Sequence, residues 1–106
     1  MWKIVNTIRL TGKVLKKELI KDNDIAFKIL LAIPLNMRVA DGDTFKRVYS
    51  YLTFTLCGMN IENFTELKEG NYIEIIGNIY GNCDENGNNV GGLTIYPRSI
   101  MRGVVK

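Results

Sequence analysis

The side chains with the most chemistry to offer lie at alternate positions of one segment: Phe45, Arg47, Tyr49, Tyr51, Thr53 and Thr55. Successive side chains of a strand leave opposite faces, so Val48, Leu52, Phe54 and Leu56 on the other parity supply the packing. Core formation alone therefore does not account for two neighbouring phenols and a guanidinium. Rings of this kind stack on flat ligands, and Arg47 with its neighbour Lys46 either contacts phosphate or forms a charged edge that discourages strand pairing.

Other chemistry is thinly represented. The chain has no histidine, which removes imidazole general bases, serine triads and His-containing zinc sites. Cys57 and Cys83 are too few for a thiolate cage and do not form a CxxC pair, so reduced thiols are expected. Asp41 with Asp43, and Asp84 with Glu85, sit in segments where Asp is favoured for turn hydrogen bonds. No GxxxxGK[ST] phosphate loop occurs. The expectation is a binding protein, not an enzyme, with no metal and no cofactor.

The elements that must position the aromatic segment are strands. Ile4, Ile8, Leu10 and Val14 share one parity and Thr7, Arg9, Thr11 and Lys13 the other, with Gly12 read as a bulge or bend. Lys16 to Asp24 reads as a connection. Ile25, Phe27, Ile29, Leu31, Ile33 and Leu35 then occupy every second position, a second strand, followed by an exposed loop from Asn36 to Thr44. The third strand runs from about Phe45 to Gly58. Asn60 as a cap, Ile61, Phe64 and Leu67 at spacing three, and Gly70 as a terminator predict one short helix. Tyr72 to Tyr80 and Leu93 to about Met101 complete five strands, joined by a turn at Asp84–Asn89.

The 106 residues, 46% apolar and 24% charged, suit one domain spanning 1–106. Three strands, a helix and two strands is the order of the all-β OB-fold, a five-stranded Greek-key barrel with a short helix between strands three and four. Net charge is +3, but residues 1–60 carry +5, 61–94 carry −5 and 95–106 carry +3, so cationic and anionic surfaces should be separate. The first residues, Met1 to Asn6, lack the apolar run of a signal peptide, and no stretch approaches the roughly 20 apolar residues that span a bilayer. A cytoplasmic address and no membrane partner are expected.

Particular stretches add a resemblance. Residues 5–14, VNTIRLTGKV, are similar to the opening strand of bacterial-type single-stranded DNA-binding proteins, with its Asn, alternating aliphatics and Gly. Residues 27–32, FKILLA, and 51–58, YLTFTLCG, resemble their second and third strands. Residues 67–79, LKEGNYIEIIGNI, resemble their helix end and fourth strand, and the likeness covers roughly residues 5–100.

The resemblance implies sequence-independent binding of single-stranded DNA by a homodimer or homotetramer, in replication, recombination or repair. Bases would stack on aromatic rings while Lys and Arg track the phosphates. Tyr51 falls where the family commonly has a stacking aromatic. The other candidates are Tyr49, Arg47, Phe45, Lys13, Arg9, Lys28, Tyr80, Tyr96 and Arg98. Met37, Cys57 and Asp84 stand about where many members have aromatics, and Tyr49, Phe45, Tyr80 and Tyr96 are the substitutes on offer.

Several residues keep two readings. Tyr49 and Tyr51 stack on bases or are buried at a subunit interface, and Lys13, Lys16, Lys17 and Lys21 form a DNA-tracking ridge or a solvated basic loop. Trp2 reads as an interface or packing residue, and Glu62, Glu66 and Glu69 as a solvated acidic face. The chain ends in basic Arg102–Lys106, where the family usually has an acidic-tipped tail, so replication partners would not be recruited through such a tail. The alternative function is a protein-interaction module related to primosomal accessory proteins, with DNA binding secondary.

Overall fold

The computed structural model describes residues 5–21, 25–58 and 60–103. Trp2, Ile4 and residues 104–106 lie outside them, as does the side chain of Lys21. The molecule is built from five strands: β1 (Ile8–Lys21), β2 (Ala26–Asp41), β3 (Thr44–Cys57), β4 (Tyr72–Tyr80) and β5 (Thr94–Arg102). They pair in the order β1-β2-β3-β5-β4, and β4 pairs with β1, so the sheet closes into a barrel. Every contact is antiparallel except β3 with β5, a parallel seam holding only two register pairs, Thr55 with Thr94 and Leu56 with Ile95.

Alternation explains why these segments are strands. Val14, Ile29, Leu31, Leu56, Ile73, Ile75 and Ile95 are completely buried inside the barrel, and their sequence neighbours face outward. β-branched and aromatic residues fit this half-buried pleat.

Three expectations are corrected by the register. Residues 16–21 are not a connection. β1 continues through them against β2, with register shifts between Val14 and Lys16 and between Leu19 and Lys21. Gly12 is not a bulge: it pairs regularly with Ile73, and its lack of a side chain serves a close crossing, since a Cβ there would lie 2.5 Å from the Ala32 carbonyl oxygen. Residues 36–44 are exposed, as expected, and Gly42–Asp43 is the turn the sequence offers, but the rest of the segment is strand rather than loop. β2 and β3 run on as a two-stranded ribbon, pairing Arg38 with Arg47, Val39 with Lys46, Ala40 with Phe45 and Asp41 with Thr44. Tertiary pairing overrides the polar composition here.

The predicted helix is a single 3-10 turn, Ile61–Asn63. The spacing of three was real, but it belongs to successive i to i+3 turns: Asn63 N–H donates to the Asn60 carbonyl, Phe64 to Ile61 and Leu67 to Phe64. Asn60 adopts the left-handed conformation and its side chain makes no cap. Ile61 and Leu67 still enter the core and plug one end of the barrel. Lys17 fastens that plug, donating from Nζ to the Leu67 carbonyl at 2.9 Å while lying 4.8 Å from the Phe27 ring centre. Glu69, expected to be solvated, accepts the Lys17 backbone N–H.

At the other end, the side chain of Asn6 acts as an extra rung of sheet. Its amide donates to the Ile79 carbonyl at 2.8 Å and its oxygen accepts the Ile79 N–H at 3.0 Å, while Asn78 donates to the Asn6 carbonyl. No helix among the described residues is long and apolar enough to cross a membrane.

Candidate nucleic-acid interface

The outer face of β3 carries the phenols as parity required, and the pairing supplies their neighbours. Residues directly opposite one another in a sheet project to the same face. Tyr51 is paired with Ala32, Ala32 with Lys13, and Lys13 with Tyr72. This makes one row of outward side chains across four strands. Tyr49 stands opposite Pro34 in the next row. On the other side of Tyr51, Thr53 faces Leu30 and Leu30 faces Lys16, and then Thr55 faces Lys28 and Lys28 faces Glu18. Tyr51 is 65% exposed, Phe45 70% and Tyr49 39%, so none is sealed by the chain's own fold.

Tyr49 is less exposed for a definable reason. Its hydroxyl lies close enough to that of Tyr72 to interact with it. Burial pushes the Tyr72 phenol above its ordinary range, the Tyr49 contact pushes the same way, and the nearby charge of Arg47 opposes them. Tyr49, Tyr72 and Arg47 thus form one cluster. Tyr72 was missed in the sequence as a site residue, although its outward parity on β4, shared with Glu74, is visible there.

Next to the phenols, the outer surface sinks into a hollow of about 630 Å³ lined by Lys16, Lys17, Lys28, Leu30 and Thr53 together with two carboxylates, Glu18 and Glu69, among others. The register shift at Leu15 brings Lys16 to this outward face and turns Lys17 to the inward parity, opposite Ile29. The lysines of the candidate ridge are therefore divided: Lys13 lies in the row of Tyr51 and Lys16 lines the hollow, whereas Lys17, at the hollow's rim, is tied to the barrel plug.

The remaining candidates do not gather at this site. Arg9 is outward on β1, but Glu74 holds it through its Nε and Nη2 atoms at 2.9 and 2.7 Å. Its charge is matched at home, which reduces what it can offer a phosphate. Tyr80 and Tyr96 form a separate patch on β4 and β5, their rings edge to face with centroids 4.8 Å apart, and Arg98 beside them donates to the Thr7 hydroxyl at 3.2 Å. Phe45 lies out on the ribbon, opposite Ala40. Asp84 is a turn residue, accepting the backbone N–H groups of Asn86 and Asn88 at 2.9 and 3.0 Å. Among the described residues no group of three His, Cys, Asp or Glu side chains could hold a metal ion.

No family model matches the chain, and no curated protein does. Solved structures do match. An SSB from Plasmodium falciparum in complex with ssDNA superimposes with a TM-score of 0.64 at 16% identity, covering 98% of this chain and 99% of that one. A small single-stranded DNA-binding protein from Streptomyces coelicolor matches with 0.60 at 14% identity, covering 96% of each chain. The dimeric N-terminal domain of PriB protein from Thermoanaerobacter tencongensis also gives 0.60, at 22% identity, with 94% and 98% covered. At these identities the likeness is one of fold. The chain has the five-stranded fold of these proteins.

Proposed function

We propose that this protein binds single-stranded DNA without regard to sequence, along the outer face of β1, β2 and β3. The observation that carries this reading is exposed Tyr51, with Tyr49 beside it, in one outward row with buried Ala32 and half-buried Lys13, on a strand whose inner face is already packed. Every base has a π-face, so stacking on Tyr needs no sequence readout and is worth roughly 1–3 kcal/mol per base. Lys13, Lys16 and Lys28 supply the salt-dependent pairing with phosphates. On an OB-fold, the face of strands two and three is the surface that takes oligonucleotides. The folds it shares with an SSB bound to ssDNA and with a small single-stranded DNA-binding protein support the same assignment.

The protein acts as a binder and not a catalyst, as a homodimer or homotetramer, in replication, recombination or repair. Tyr80, Tyr96 and Arg98 form a second contact for a strand long enough to pass round the barrel. The test is titration of the full chain into fluorescent oligothymidylate of several lengths and salt concentrations. The expected outcome is tight binding that strengthens with length and weakens with salt. Binding no stronger than millimolar would overturn the assignment in favour of a protein-docking module, in line with the fold it shares with the PriB domain.

A further inference from the structure

We infer that Arg38 and Arg47 together form a fork that grips a single phosphate of the bound strand. This deepens the single-stranded DNA reading and rests on it. Arg38 stands directly opposite Arg47 on the β2–β3 ribbon, and both are exposed. Like charges placed opposite each other weaken a strand pair. A ribbon outside the core has little packing to offset that cost.

The pairing is not a default of the hairpin. Pro34 is opposite Tyr49, so regular pairing would bring Asn36 opposite Arg47. A register shift in β2 between Pro34 and Arg38 puts Arg38 there instead. Such irregularities re-aim side chains and occur often beside functional sites.

Nor is the charge neutralised nearby. Among the described residues the ion pair is Arg9 with Glu74, and neither Arg38 nor Arg47 has a carboxylate partner. Asp41, the acid of this ribbon closest to Arg38 along β2, is opposite Thr44 and so belongs to the other face. Arg47 is two residues from Tyr49 on the same face, so the fork continues the row of phenols. Guanidinium groups offer planar pairs of N–H donors matched to phosphate oxygens, and two of them on adjacent strands can bracket one phosphodiester. The anion then removes the repulsion that the free protein bears.

The test uses Arg38→Thr and Arg38→Lys in the full chain, with fluorescent oligothymidylate as the probe. Arg38→Thr is expected to weaken binding on the order of tenfold and to reduce the slope of log affinity against log salt by about 0.7. Arg38→Lys should restore the slope but only part of the affinity. Without DNA, Arg38→Thr should melt at the same temperature as the parent or higher. A threonine variant with the parent's affinity and salt slope overturns the fork and leaves the DNA-binding reading intact. A parent protein that binds no oligothymidylate removes both.

Discussion

Tyr51 is outward, 65% exposed and opposite small Ala32, so its ring has a face open to a base. Tyr51→Ala should weaken oligothymidylate binding by about 1–3 kcal/mol and leave the elution volume in gel filtration unchanged. A variant that dissociates the assembly would instead identify the ring as a subunit contact. Asp84 offers a second residue-level prediction. The Asn88 N–H, and with it that of Asn86, holds the Asp84 carboxyl below its ordinary pKa. The ionised form is the one favoured by folding, so its contribution to the turn is present above the ordinary carboxylate value of about 3.9 and is lost as pH falls through the lowered folded value. In an NMR titration the Asp84 carboxyl carbon should show its midpoint below about 3.9. A midpoint at or above that value would contradict the turn assignment.

The strands were legible because their inner faces are nearly uniform aliphatic rows, as in Ile73 and Ile75 or Ile29 and Leu31. Their ends were not. Residues 16–21 and 38–41 have the polar composition of connections, yet they are paired strand, and only Gly42–Asp43 turns the chain. Backbone pairing with a partner decides such segments, and that partner is invisible in a local window. The same blindness hid Arg38, whose significance lies wholly in what stands opposite it. The helix failed differently: a spacing of three suits a 3-10 turn at least as well as an α-helix. Gly12 belongs to this scale too, because its role is set by the crossing of β1 over β2. Gly12→Ala should cost about 1–3 kcal/mol in urea unfolding, since the added Cβ would meet the Ala32 backbone carbonyl. Gly81→Ala, where nothing lies within 4 Å of the added atom, should stay within about 0.5 kcal/mol.

For the whole molecule, one core serves all five strands and the plug. Leu56 is fully buried and sits on the β3–β5 seam, opposite Ile95. Leu56→Ala should therefore lower global stability by about 2–5 kcal/mol, read as a single cooperative denaturant transition moved to lower concentration. The uneven charge seen along the sequence is distributed by the fold. Lys13, Lys16, Lys28 and Arg47 come to the phenol side, with Glu18 opposite Lys28, while Glu74 is spent on Arg9.

The short seam has a further consequence for how this protein keeps company with itself. Because β3 meets β5 only at Thr55 and Leu56, the side of β3 away from β2 leaves residues 44–54 without a strand partner among the described residues. Its unsatisfied amides and carbonyls are a template on which a foreign chain could zip up. Cationic Lys46 and Arg47 guard that border electrostatically. The guard weakens in concentrated salt, so brine lowers the barrier to clumping.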